Sequence, residues 1–194
     1  MQAGAELPRI GAEPIRKAAL INATIFEIGR AGSLDVTVAQ IARRAGMSPA
    51  LAHHYFGSKE QMFLAAMRYI LRTYGRSVSE TLPGRGQRGR LNAIVRASFA
   101  PQNFQRETVS AWVNFYALAL INPEARRLLR VYHRRLRSNL VVALRPLADD
   151  PGRVADTVGA LIDGVYLRAV LVPGGIDAEA AERLILDCLD EALR

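Results

Sequence analysis

Cysteine is almost missing from this sequence: the 194-residue chain has one, Cys188. A lone cysteine forms no internal disulfide and has no second thiolate to share a zinc ion, which suits a reducing compartment, and the cytoplasm is expected. No uninterrupted apolar stretch approaches the ~18 residues a membrane span needs. The opening MQAGAELPRIGAEPIRK has no apolar core of the kind a secretory leader carries. No segment alternates apolar and polar residues convincingly, so strands are not expected, and neither an internal repeat nor a low-complexity tract interrupts the chain. Catalytic constellations are lacking too. There is no His-x-Glu or His-Glu-x-x-His pattern and no glycine-rich phosphate loop, and Cys188 has no histidine near it in sequence. An enzyme is not expected, nor is a bound cofactor.

What remains is a chain that is half hydrophobic with a net charge of +8, enough apolar material for a real core. The charge is uneven: +2 over residues 1–60, +6 over 61–105, +6 over 106–145 and −6 over 146–194. Basic balance invites a nucleic-acid partner, but most of the surplus reads equally well as a solvated face. Arg127, Arg130, Arg134 and Arg137 form one such stripe, free either to meet the acidic C-terminal segment or to stay in water.

Apolar residues recur at helical spacing. Ile15, Ala18, Ala19, Asn22, Ile25 and Phe26 make one stripe, and Met62, Phe63, Ala66, Met67, Ile70 and Leu71 another. Glycine and proline breakers divide the chain into about nine helices, with the strongest break at Pro83 to Gly89. Helix-start signals crowd together between 37 and 61. Thr37 with Gln40, and Ser58 with Gln61, read as capping boxes, and Ser48-Pro49 as an N-cap followed by proline at the first helical position. Between the first two starts, Ala42 permits close helix approach and Gly46 supplies the left-handed turn. Two short helices so joined form a helix-turn-helix, or an ordinary αα-corner. Leu51 and Phe56 read as core that fixes the second helix against that of Ile25 and Phe26.

The expected fold is all-α. A three-helix helix-turn-helix module over residues 1–57 is joined by a long helix starting near Ser58 to a ligand-binding and dimerisation bundle over 58–194. On the DNA side the candidates are Ser48, Pro49, Ala50, His53 and His54 at the second helix. Thr37, Arg44, Tyr55 and Lys59 flank it, placed for phosphate at helix termini. His53 is expected to face the groove and donate to DNA, and His54 to be packed or capping. Adjacent histidines point apart on a helix, so a metal is not expected. In the bundle, Trp112, Phe115, Tyr116, Tyr166 and Asp163 would supply π-faces and one carboxylate, the chemistry that holds a quaternary ammonium. The same aromatics serve equally as core, and Asp163 as a partner for Arg168 or another arginine.

The run Thr37-Val38-Ala39-Gln40-Ile41-Ala42-Arg43-Arg44-Ala45-Gly46-Met47-Ser48, followed by His54-Tyr55-Phe56-Gly57-Ser58-Lys59-Glu60, resembles the TetR family of bacterial repressors. The segments Ala111-Trp112-Val113-Asn114-Phe115-Tyr116, Arg134 to Leu140 and Ala160 to Ala169 look like its choline-responsive repressors of the glycine betaine pathway. The resemblance spans nearly the whole chain. It implies a homodimer paired through helices at 153–172 and 177–193, a palindromic operator, and choline or a related quaternary ammonium as inducer. A lipophilic drug or fatty acyl ligand, as many relatives bind, is the alternative. Two positions depart from the wider family: His53 stands where tyrosine is common, removing a phosphate-contacting hydroxyl, and Ala52 stands where a large aliphatic is usual, which would loosen the recognition helix.

Overall fold

A computed structural model describes residues 12–81, 84 and 86–194; the opening segment and part of the Pro83–Gly89 break lie outside them. Among the described residues there are nine helices and no strand: α1 (Ala12–Ala31), α2 (Val38–Arg44), α3 (Pro49–Phe56), α4 (Lys59–Thr81), α5 (Gln87–Phe99), α6 (Arg106–Ile121), α7 (Pro123–Leu144), α8 (Pro151–Leu171) and α9 (Ala178–Ala192). No helix there is long and apolar enough to cross a membrane.

The Thr37 capping box is complete: its hydroxyl accepts from Gln40 N at 3.1 Å and its amide donates to Gln40 Oε1 at 2.7 Å. Ser48 Oγ accepts from Leu51 N at 3.2 Å. The Ser58 box is only half made, because the Ser58 amide donates to Phe56 O at 2.9 Å instead of to Gln61, while Ser58 Oγ accepts from Gln61 N. Gly46 closes the turn at φ +68°, and Met47 N donates to Ala42 O at 2.9 Å. Thr37→Ala, which removes the hydroxyl half of the box, is expected to cost about 1 kcal/mol and lower the melting temperature by roughly 2 to 4 °C in a calorimetric scan.

Helix α1 departs from its expected stripe. Leu20, Ala23, Thr24, Ile25, Glu27 and Ile28 are buried, whereas Ile15 is 62 % exposed. The reason is tertiary: the C-terminal half of α1 lies among α2, α4 and α6, which cover more than one face, while little covers its start. The α4 stripe holds, with Met62, Phe63, Ala66, Met67 and Ile70 buried. Ala52 is wholly buried, so the small side chain sits in a closed contact rather than leaving α3 loose. Leu51 and Phe56 are only partly buried.

The acidic C-terminal segment finds counter-charges on α5, where Arg88 pairs with Asp190 and Arg96 with Glu182, as well as on α7 and within itself. Of the arginine stripe on α7, Arg137 forms a two-pronged pair with Asp156. The start of α7 is tied to the start of α4: Asn122 caps α7 through Ala125 N and donates to Glu60, and Arg68 pairs with Glu124.

Candidate DNA-contacting surface and ligand cavity

Ser48, Pro49, Ala50, His53 and His54 all lie exposed on α3. His53 Nδ1 sits 3.2 Å from Gly57 O. A carbonyl only accepts, so Nδ1 carries a hydrogen here and Nε2 is left for a partner outside the protein. His54 neither caps nor packs inside; it is exposed and meets Tyr55 edge-on at 5.4 Å. Tyr55 is half-buried, with Arg16 Nη1 3.5 Å from its hydroxyl and the Lys17 ammonium 5.9 Å from its ring. These two α1 cations are missed by a reading confined to residues 37–59, although a basic pair early in a helix is a visible signal. Thr37 is exposed with its hydroxyl engaged in the cap, and Lys59 is half-buried with its ammonium 5.5 Å from the Phe63 ring.

Arg44 is engaged by the protein itself, although its side chain is 39 % exposed. Its guanidinium pairs with Glu27 and lies 3.6 Å from the Phe26 ring centre. Glu27 is 5 % exposed and also meets Arg30 at 3.2 Å. Burial disfavours the Glu27 carboxylate, but the hydrogen bonds from Arg44 and Arg30 outweigh it and hold this carboxyl below the usual value. Arg44 therefore straps α2 to α1, with part of its side chain left in solvent.

In the bundle, helices α4, α6, α7 and α8, with the segment after α5, line a partly open cavity of about 20 Å³, room for about one water molecule. Its walls are Ile70, Leu71, Tyr74, Asn103, Thr108, Trp112, Tyr132 and Tyr166, with no cationic side chain among them. Clefts of about 380 and 430 Å³ flank it; one shares Ile70, Asn103 and Thr108 with the cavity, the other Leu71, Tyr74 and Tyr132.

The five expected ligand residues separate here. Trp112 and Tyr166 line the cavity, Tyr166 with its hydroxyl 2.5 Å from Ser98 O. Tyr116 and Asp163 lie behind it: Trp112 Nε1 donates to Tyr116 Oη at 3.0 Å, and Tyr116 donates to Asp163 Oδ1 at 2.7 Å. The second oxygen of Asp163 faces His133 Nε2 at 3.4 Å, so its partners are a phenol and an imidazole and not the expected arginine. Phe115, 1 % exposed, is core and outside the cavity lining. Tyr74, Tyr132 and Asn103 are additions. Tyr74 continues the buried stripe Met67, Ile70, Leu71 on α4 and was legible that way; Tyr132 stacks edge-on to Trp112 at 5.1 Å and to Tyr74 at 5.5 Å. Burial pushes Tyr116, Tyr132 and Tyr166 well above the ordinary phenol value, with the Asp163 charge adding to each, and raises Tyr74 to about 12, partly offset by Ser98. All four phenols stay neutral at working pH, presenting electron-rich faces beside a carboxylate.

Residues 20–66 match the family model described as bacterial regulatory proteins of the tetR family, and residues 87–194 match the C-terminal domain of BetI-type transcriptional repressors. The HTH-type transcriptional regulator BetI of Brucella anthropi is 48 % identical over 93 % of this chain and 95 % of its own length. The regulator of the same name from Rhizobium meliloti is 46 % identical over 97 % and 94 %. Among solved structures, a transcriptional regulator from Saccharomonospora viridis in complex with choline shares the fold, with a TM-score of 0.81 over 91 % of this chain and 96 % of that one at 23 % identity. The chain therefore belongs to the TetR family of bacterial transcriptional regulators, in its branch of BetI-type repressors.

Proposed function

We propose that this repressor binds a palindromic operator as a homodimer and releases it on binding choline or a related quaternary ammonium, so controlling genes of glycine betaine synthesis. The observation that carries the ligand reading is the cavity: four aromatic rings, no cationic side chain, and a Trp112–Tyr116–Asp163 chain that brings negative charge to its back wall. A quaternary ammonium has no hydrogen to donate and is held by such faces and such a charge. The relatives named BetI and the choline complex from Saccharomonospora viridis support it. The long chains of a lipophilic drug or fatty acyl ligand suit a small, hydroxyl-rimmed cavity less well.

Residues 1–57 act as the DNA-binding unit and 58–194 as the ligand and dimer unit. The exposed Ser48, Pro49, Ala50, His53 and His54 face the groove, with Thr37, Tyr55, Lys59, Arg16 and Lys17 toward phosphate. On α8 and α9, Leu167, Leu171 and Leu184 remain 39 %, 70 % and 41 % exposed after the inward faces are packed, apolar surface suited to a two-fold partner. The cavity holds less than a trimethylammonium group, so a bound cation must spread its walls. Two of those walls are α4, which runs from the end of α3 to the cavity, and α6. The ligand thus favours a spacing of α4 that the operator does not, which is the differential affinity that induction requires.

In a gel-shift titration, saturating choline is expected to free the operator, and Asp163→Asn to raise the choline needed. Unchanged operator binding at saturating choline would reject a quaternary ammonium as inducer while leaving DNA binding intact.

A further inference from the structure

Two residues that line the aromatic cavity each hold a buried polar atom with no hydrogen-bond partner of good geometry in the protein: Tyr74 at Oη and Asn103 at Oδ1. Buried polar groups are almost always paired, and an unpaired one costs stability. Their orientation is set by what surrounds them. Asn103 is 5 % exposed, and its amide nitrogen donates to Ala97 O at 2.7 Å and Ser77 Oγ at 3.3 Å. Both acceptors demand the nitrogen, so the oxygen is fixed as the free end. Ser77 is held in turn, donating to Thr73 O at 3.1 Å and accepting from Gln102 Nε2 at 2.9 Å. Ser98 lies beside Tyr74, but its own hydroxyl is directed at Ile94 O, 3.3 Å away.

The two orphans are complementary. Asn103 Oδ1 only accepts, whereas the Tyr74 phenol, neutral at working pH, can donate. An alcohol offers both halves of what they lack: its O–H can donate to Asn103 Oδ1, and its oxygen can accept from Tyr74. We propose that Tyr74 and Asn103 are the specificity-determining pair of this site, reading the hydroxyl of an amino-alcohol cation and refusing the carboxylate of its oxidised counterpart. This rests on the reading that a quaternary ammonium occupies the aromatic walls. A carboxylate brings no hydrogen for Asn103 Oδ1, and no Lys or Arg lines the cavity to neutralise it. The pair thereby separates choline from glycine betaine, the alcohol from the acid, at the end of the ligand remote from the shared trimethylammonium head.

Trp112 lines the cavity and is the chain's only tryptophan, so its fluorescence reports binding to the full-length protein without a label. The probes are choline, ethyltrimethylammonium, which lacks only the hydroxyl, and glycine betaine. Wild type is expected to bind choline about tenfold or more tighter than either of the others. Tyr74→Phe, which removes one oxygen and keeps the ring, is expected to lower choline affinity about tenfold and leave ethyltrimethylammonium unchanged. Asn103→Ala should do the same where it folds, and Tyr74→Phe decides where it does not. Equal affinity of wild type for choline and ethyltrimethylammonium, or equal losses for both in Tyr74→Phe, overturns the hydroxyl-reading pair while the cation reading stands. Failure of both choline and ethyltrimethylammonium to bind wild type overturns the cation reading itself and this proposal with it.

Discussion

Gly29→Ala is expected to lower the melting temperature by roughly 6 to 12 °C, the equivalent of about 3 kcal/mol. Helix α1 crosses the start of α6 so closely at this point that a Cβ on Gly29 would lie 2.6 Å from Glu107 Cα and closer still to its carbonyl oxygen. Backbone cannot rotate aside as a side-chain end can, so the helices must part. The effect should reach beyond stability. Helix α1 carries Arg16, Lys17 and Glu27, the anchor of the Arg44 strap, while α6 carries Trp112 and Tyr116. A displaced α1 is therefore expected to weaken operator binding in a gel shift even at temperatures where the variant is folded. A Gly29→Ala protein with wild-type melting temperature and wild-type operator affinity would refute the close contact.

The second large effect lies at the strap. Arg44→Leu leaves the Glu27 carboxylate buried with only the exposed Arg30 as counter-ion, and also removes the guanidinium from the Phe26 ring. A loss of about 2 to 3 kcal/mol in a denaturant titration is expected, below the cost of breaking a fully enclosed pair because Arg44 is partly solvated. Adding Glu27→Gln should return part of that loss, because the expense in the single variant is the unpaired charge. A double variant no more stable than Arg44→Leu would show that packing on Phe26, not charge, holds α2. Sign follows from the lowered Glu27 value: the contribution of the carboxylate is present above the ordinary carboxylate pKa and lost as pH falls through the folded value. The stability gap between wild type and Glu27→Gln should thus narrow in acid.

Local chemistry made the helix-turn-helix readable. Thr37, Ser48 and Gly46 act on backbone groups within a few positions of themselves, and each makes in the folded chain the contact its residue type implies. The Arg44 strap stayed hidden for the converse reason. An arginine ending a short helix beside a turn looks placed for phosphate, and its true partner stands 17 positions away on α1. The cavity suffers the same limit. Trp112 and Tyr116 share a face four residues apart, so their pairing is visible in the spacing, but Tyr74, Tyr132 and Asn103 come from two other helices and the segment after α5. Nothing in their spacing announces that they converge. The place of Asp163, one ring behind the wall, is likewise decided by packing alone.

Helix α4 is pinned to the start of α7 at two points, Glu60 on Asn122 and Arg68 on Glu124. Tyr74 lies 6 residues beyond the second pin, about 9 Å at the rise of an α-helix, and the recognition helix ends just before the first. The stretch between the pins is clamped along two turns, so it resists bending and carries its two ends as one rod. Under the proposed induction, a cation that parts the cavity walls is therefore expected to tilt this rod as a whole, with α3 following at its far end.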